Sequence, residues 1–217
     1  MAIVTYNTYI PDVVVYVPGC PHLTIVDALR KTAASFFYDS LAYRKWVTPF
    51  DLTINTTTYT ISTMCPTDTE VAQVLALYCN GVAVTELTHD QFFAYDPEWP
   101  SKTGANAQYF SILDGKDTIN TIPIPSAIDT GAMTMQLAVC PTLTSTGVEQ
   151  VHFEEWKDQI IDGALARLLA MPGHVWTDVK MATERHGRYA SGKAKARIQA
   201  EKGNTRRDTV VQQRRWV

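Results

Sequence analysis

The residues best suited to metal or acid–base chemistry are five histidines and two pairs of adjacent polar residues. None of the histidines lies in HExxH or another metal-ligand spacing, so we predict no metal site. His89-Asp90 and Glu154-Glu155 could serve as acid–base groups, but neighbouring residues on a helix or loop point in different directions. Solvated surface positions are therefore the favoured interpretation of both pairs. The histidines are His22, His89, His152, His174 and His186.

Motifs of nucleophilic and nucleotide chemistry do not occur in the sequence. The serines lack the G-x-S-x-G turn, and the glycines form neither a Walker loop nor a dinucleotide-binding fingerprint. The cysteines form no C-x-x-C pair, so they are most simply reduced structural thiols of a cytoplasmic protein. We therefore predict a protein that is not an enzyme and that uses no cofactor. The cysteines are Cys20, Cys65, Cys79 and Cys140.

The N-terminal residues predict no targeting segment. They lack the basic stretch that begins a signal peptide. Their longest apolar run, residues 13–17, is far shorter than the ~20 residues of a membrane-spanning helix. We expect neither a signal peptide nor a contact with a membrane.

Positive charge is concentrated towards the C-terminal end of the chain. Residues 180–217 contain eleven Lys or Arg and three acidic residues, a formal charge of +8, whereas the rest of the chain carries −11 of the total of −3. A basic end on an acidic body can contact nucleic acid, an acidic protein surface or a neighbouring copy. Charge alone does not choose among these partners.

The last part of this basic end combines arginine pairs with a tryptophan, which are residue types enriched in binding hot spots. We predict that residues 204–217 form a docking arm, because they contain too few apolar residues to fold alone. Stacking on single-stranded nucleic acid would use the same groups, but one aromatic ring is a weak platform. The predicted partner-binding residues are Arg206, Arg207, Arg214, Arg215 and Trp216.

Two helices are predicted to carry this arm. Apolar residues recur every three or four positions from Phe153 to Leu168, which indicates a helix that is covered on more than one side. The sequence Met171-Pro172-Gly173 then ends the helix. A second helix, rich in alanine and glycine, is predicted from about Thr177 to about Lys202.

Each of these helices contains a glycine that bears on assembly. Gly163 lies in the middle of the first helix and Gly187 in the second. Because glycine has no side chain, it lets another element approach the helix backbone closely. We predict that subunits of an oligomer pack at both positions.

The N-terminal half begins with residues 1–23, whose prolines and β-branched residues are typical of an extended arm. Thr24 and Asp27 then predict a capped helix start, and the helical pattern ends near Trp46. Residues 47–146 are short runs rich in threonine, valine, isoleucine and tyrosine, which predict β-strands. Hairpins are expected at Asn80-Gly81, a dipeptide that accepts the positive φ of a type I′ turn, and at Asp114-Gly115.

Together these elements predict an α+β fold. Long helices from both ends of the chain are expected to pack together, with an inserted antiparallel β-sandwich or barrel-like domain and extended terminal arms. The predicted divisions are residues 1–23 (N-terminal arm), 24–46 and 149–203 (helical body), 47–148 (antiparallel β insertion) and 204–217 (basic C-terminal docking arm).

This layout resembles bacteriophage head-to-tail connector proteins, the adaptors that dock beneath the portal. The similarity covers most of the chain, through layout and helix texture and not through a signature motif. It rests on the helix DALRKTAASFFYDSLAYRKW, the threonine-rich β insertion with its NG hairpin, the helix EEWKDQIIDGALARLLAMPGHVWTD, the basic helix KAKARIQAEKGN and the arginine-containing tail.

The resemblance implies a non-enzymatic ring, commonly of twelve copies, that joins head to tail in the virion neck and continues the DNA channel. The implied partners are the portal protein, a tail nozzle, tube or completion protein, further copies of the chain, and genomic DNA that passes without sequence-specific binding. Assembly in the host cytoplasm would precede incorporation into the virion. The alternatives are another neck or tail-completion protein and a nucleic-acid-binding module, while an enzyme ranks last.

Overall fold

The computed structural model describes residues 2–88, 90–91, 94, 101–112 and 115–202. The helices are α1 (Ile10–Val14), α2 (His22–Ser40), α3 (Gln150–Leu169) and α4 (Val179–Lys202). The strands are β1 (Ile3–Thr5), β2 (Arg44–Trp46), β3 (Phe50–Leu52), β4 (Thr58–Thr60), β5 (Thr69–Cys79), β6 (Val82–Glu86), β7 (Thr103–Gly104), β8 (Tyr109–Ser111), β9 (Thr118–Ile122), β10 (Ile124–Pro125), β11 (Asp129–Pro141) and β12 (Gly147–Glu149).

A curled, mixed sheet dominates the fold and forms a half-barrel. Seven of its strands follow the order β2-β11-β5-β6-β8-β9-β4, and β3 also pairs with β11. The neighbouring strands are antiparallel except for β6 and β8, which run parallel with Thr85 opposite Tyr109. Strand β11 is the longest, and its pairs with β2, β3 and β5 make it the centre of the sheet.

The predicted fold class is therefore wrong. The curled mixed sheet organises the chain, in place of long helices from both ends packed together around an antiparallel sandwich. The parallel pair of β6 and β8 depends on a long connection, which leaves no local pattern in the sequence. Strand β2 lies where the sequence predicts the end of a helix, so the sheet also extends beyond the predicted β insertion.

The N-terminal residues are folded and do not form an extended arm. Strand β1 pairs with β12, and a 3-10 turn (Tyr6–Tyr9) and α1 follow it. Tyr6, Tyr9 and Val13 are buried, and the ring of Tyr9 meets that of Phe153 edge-on at 4.9 Å. Burial of these large aromatic side chains offsets the conformational entropy that the segment loses on folding. The proline-rich pattern of the sequence does not reveal this burial.

Helix α2 differs from its prediction at both ends. It begins at His22 and has no side-chain cap, while Asp27 forms an ion pair with Lys31 at 2.7 Å. It ends at Ser40, because Leu41 adopts a left-handed conformation with a φ of 54°. The residues that follow join the sheet as β2, where pairing with β11 satisfies their backbone groups.

The hairpin at Asn80-Gly81 is confirmed. Asn80 has a φ of 51° and Gly81 a φ of 78°, and the flanking residues Cys79 and Val82 are partners in the antiparallel pair of β5 and β6. The second predicted hairpin connects β8 to β9, which are also antiparallel. Asp114, in the turn of that hairpin, lies outside the described residues.

A layer of helices lies on the sheet, with α2 against β11 and with α3 and α4 against α2 and each other. The ring of Phe36 lies 5.5 Å from that of Trp156 and 6.1 Å from that of Tyr189. A Cβ atom at Gly163 would come within 2.5 Å of Thr32 Cγ2 and 2.6 Å of Tyr189 Cδ2. The close approach at Gly163 is thus made by side chains of the same chain, and its role between subunits stays a prediction.

Alanine substitutions at Gly163 and Gly187 should have opposite effects on stability, because close packing decides the first and helix propensity the second. Gly163→Ala should lower the free energy of unfolding by about 1–3 kcal/mol, because the new Cβ overlaps Thr32 and Tyr189. Gly187→Ala should raise it by about 0.5–1 kcal/mol, because alanine favours the helix. A Cβ at Gly187 meets no atom of the described residues within 4 Å. Urea unfolding monitored by circular dichroism measures both, and equal effects would contradict the close approach at Gly163.

Candidate interaction surface

The predicted docking residues lie outside the described part of the chain, which ends at Lys202, the last residue of α4. They are Arg206, Arg207, Arg214, Arg215 and Trp216. The described surface around the C-terminal end of α4 is formed by α3, by α4 and by the edge of the sheet at β2. This surface is the candidate site.

Two basic residues of α4 form ion pairs with acidic residues of other helices. Arg185 binds Asp162 of α3 at 2.6 Å, and both side chains are only 16% exposed. Lys193 binds Asp39 of α2 at 2.8 Å. These pairs compensate two of the seven Lys and Arg residues of α4, whereas Lys180 and Lys195 are exposed and form no ion pair within the described residues. Two further ion pairs lie within α4: Arg188 with Glu184, and Arg197 with Glu201.

The outer side of α4 consists largely of small residues. Gly187, Ala190 and Ala194 are exposed and follow one another at intervals of three and four residues, which places them on one side of the helix. Small side chains leave the backbone of α4 accessible to another element. The predicted packing of subunits at Gly187 is compatible with this position and stays a prediction.

An apolar groove lies between the C-terminal half of α3 and the N-terminal half of α4. Its volume is about 430 Å³. Val179, at its rim, is 68% exposed. The groove brings Gly163 and the turn of α4 before Gly187 to one surface. Its lining residues are Gly163, Ala166, Arg167, Ala170, Val179, Ala182, Thr183, His186 and Tyr189.

The N-terminal half of α3 presents an acidic face, formed by Glu154, Glu155 and Asp158, all of which are exposed. Glu154 accepts a hydrogen bond from the amide of Gln150 at 2.8 Å, and Glu155 accepts one from the amide of Gln199 on α4. Both hydrogen-bond donors are uncharged. Within the described residues no cation forms an ion pair with Glu154 or Glu155, so this face keeps its negative charge.

A pocket of about 330 Å³ lies beside the acidic face, where α3 and α4 meet the edge of the sheet. We call it the end pocket. Trp156 is 3% exposed, and neither its Nε1 nor Nδ1 of His152 has a hydrogen-bond partner among the described residues. Both nitrogens are buried behind the pocket surface, which is formed by small apolar side chains together with Arg44, Gln136 and Gln199. Its lining residues are Ala42, Arg44, Gln136, Val151, His152, Glu155, Trp156, Ala196, Gln199 and Ala200.

His152 is held in its neutral form. Burial lowers the pKa of its imidazole to about 4, against the smaller raising effect of Glu149. The ring lies 4.3 Å from that of Tyr43 and 5.4 Å from that of Phe37, so it belongs to an aromatic cluster. Although burial opposes ionisation of Glu149, hydrogen bonds from Lys45 and Tyr43 lower the pKa of its carboxyl group.

The thiols of the protein are not activated for nucleophilic chemistry. Burial raises the pKa of Cys140 to about 12, and nearby Glu70 adds to the effect. Burial also raises the pKa values of Cys20 and Cys65. A nucleophilic cysteine needs a lowered pKa, so these residues have the character of structural thiols.

In the described parts of the chain, no group of three or more His, Cys, Asp or Glu residues is arranged to hold a metal ion. No helix in those parts is both long and apolar enough to cross a membrane. His89 of the His89-Asp90 pair lies outside the described residues, and Glu154 and Glu155 are exposed on α3.

Sequence reasoning identified the acidic residues of this surface but missed the end pocket. Arg44 and Gln136 come from β2 and β11, far in sequence from Trp156 on α3. Only the pairing of β2 with β11 brings them together, so no local signal in the sequence predicts the pocket.

No model of a known protein family matches the chain, and no curated protein sequence matches it.

The burial of neutral His152 predicts a stability that depends on pH. The unfolded chain binds a proton near pH 6.5 whereas the folded one binds it near pH 4, so stability is full above pH 6.5 and falls as the pH decreases towards 4. The loss should reach about 3 kcal/mol at most. His152→Phe keeps an aromatic ring beside Tyr43 and Phe37 and should reduce this loss. Urea unfolding at pH 7 and pH 5 measures it, and equal losses in both proteins, which share the other four histidines, would contradict the assignment.

Proposed function

We propose that the protein is a non-enzymatic structural adaptor of a tailed-phage virion neck. In this proposal, copies of the chain form a ring beneath the portal, join the head to a tail protein and continue the DNA channel. The observation that carries the proposal is the separation of charge: residues 1–202 have a formal charge of −6, whereas residues 203–217, which follow α4, have +3.

The charge of the arm supports docking on a protein surface. Residues 203–217 contain four arginines and one aspartate, a formal charge of +3, and residues 1–202 carry −6. Cations of α4 bind Asp39 and Asp162 within the fold. The arginine pairs and Trp216 of the arm combine forked hydrogen bonding to carboxylates with a large apolar ring, which suits a protein partner.

Ring formation is supported by the exposed apolar surfaces of the described chain. A closed ring needs two different, complementary surfaces on each subunit. The apolar groove between α3 and α4 is one candidate for such a surface. Leu23 at the start of α2 is 84% exposed and Val82 at the turn into β6 is 70% exposed, so apolar surface is also available elsewhere.

The charge distribution also bears on DNA. An acidic body repels the phosphate backbone at close range, which suits a channel through which DNA passes without being retained. A nucleic-acid-binding module would use the cations along α4. The internal ion pairs of Arg185 and Lys193 withdraw two of its seven cations from such a role.

Deletion of residues 203–217 should weaken docking to the portal without affecting folding. The thermal midpoint should stay nearly unchanged, because the described body contains the hydrophobic core. Affinity for purified portal rings should fall by about 100-fold or more, and Trp216→Ala alone should weaken binding by about 10-fold, as loss of hot-spot side chains does. Native mass spectrometry of adaptor and portal mixtures measures the complex and its stoichiometry.

The matched control is a full-length chain in which residues 203–217 are scrambled, since it keeps the charge and composition of the arm. Portal binding by the scrambled or truncated chain with undiminished affinity would contradict the docking role. Tight binding to duplex DNA that is lost on deletion of the arm, with a logarithmic salt slope of about −0.9 per phosphate contact, would favour the nucleic-acid-binding alternative.

A further inference from the structure

We propose that, before assembly, residues 203–217 of each subunit dock on their own chain, against the end pocket and the acidic face of α3. This inference goes beyond the proposed function, because it concerns the free subunit. It rests on where α4 ends, on the uncompensated carboxylates of α3 and on the apolar walls of the end pocket.

The end of α4 delivers the arm to this surface. Ala196, Gln199 and Ala200 form one wall of the end pocket, and α4 ends at Lys202. The arm therefore starts at the rim of the pocket. Its first residue is Gly203, and glycine directly after a helix readily takes the left-handed conformation that reverses the chain.

The opposite charges of the acidic face and of the arm favour the arm as the occupant of this surface. Gln199 binds Glu155, so the acidic face lies against the last turns of α4. Glu154 and Glu155 have only neutral amide partners among the described residues. Arg206 and Arg207 follow Lys202 closely, and their guanidinium groups bind carboxylates in a forked geometry.

The end pocket matches the apolar and polar parts of an extended peptide. Arg44 and Gln136 line the pocket and carry side-chain donors for the main-chain carbonyl groups of such a peptide. Ala42, Val151 and Ala196 offer apolar walls to aliphatic side chains. The arm carries such side chains in Val210 and Val211.

Attachment to α4 favours the arm of the same chain over that of a neighbour. An extended segment of fifteen residues spans about 50 Å, which is ample for a return to a pocket beside its own origin. A short tether gives an effective concentration of about 1 mM, far above the concentration of free subunits in a dilute sample. The docked arm hides the arginines from other partners until a stronger surface displaces it.

Trypsin cleavage after Arg206 and Arg207 tests the proposal on the full-length protein. Mass spectrometry follows the loss of the arm, and a synthetic peptide of residues 200–217 gives the rate without protection. Docking should slow cleavage by about 10-fold or more relative to this peptide, because trypsin acts on the undocked fraction. Equal rates in the protein and the peptide would overturn the proposal.

Two variants locate the docking site. Glu154→Gln combined with Asp158→Asn changes only exposed residues of the acidic face and should return the cleavage rate to within about 2-fold of the peptide. Val151→Ser removes an exposed apolar side chain from the wall of the end pocket, and it should raise the rate by about 3-fold. The matched control is Glu86→Gln with Asp68→Asn, which removes the same charge from exposed sites elsewhere and should leave the rate unchanged.

Equal rates in the acidic-face variant and its control would overturn the assigned site. Protection that disappears between about 100 and 1 µM protein would identify the neighbour's arm as the occupant and overturn docking on the same chain. The assay contains no portal protein, so it is independent of the adaptor role. A protected arm together with absent portal binding would refute only the proposed function, and portal binding by a fully cleavable arm would refute only this inference.

Discussion

Burial of strand β11 is the constraint on which the rest of the structure depends. Residues 137–141 are buried in succession, because β2 and β5 pair along the edges of β11 while α2 covers its face. Because successive residues of a strand point to opposite faces, burial of all five means that both faces of β11 are covered here. The same packing places Gln136 of β11 in the end pocket and fixes α2, whose Asp39 binds Lys193 of α4.

The parts of the fold that can be predicted from the sequence are those determined by residues close to one another along the chain. The turn at Asn80-Gly81 follows from two residues that accept positive φ, and the end of α3 follows from the stop before Gly173. The parallel pair of β6 and β8, and the burial of Tyr9 against Phe153, depend on partners that are distant in sequence. Tertiary contacts therefore decided the fold class, and periodicity and turn chemistry alone led to the wrong one.

The same division applies to the candidate site. Glu154 and Glu155 are visible in the sequence as solvated positions of a helix, and the structure shows them exposed. The sequence does not show which cations of α4 form ion pairs. Asp39 and Asp162, which bind two of them, lie on other helices. The end pocket is hidden for a similar reason, since Arg44 reaches it only after β2 leaves the predicted helix and joins the sheet.

The electrostatic attraction between the basic arm and the acidic body depends on the distance between them. Attraction between exposed charges is screened over about 8 Å at physiological ionic strength, so an acidic body acts on the arm only where the two are close. The end of α4 beside Glu155 provides this closeness, whereas carboxylates on the far strands of the sheet do not. A partner that takes the arm away must offer more than carboxylates, because exchanging one solvated ion pair for another gains little. In the proposed adaptor, an apolar cavity of the partner that receives Trp216 would supply that difference, since burial of an indole ring adds a contribution that salt does not screen.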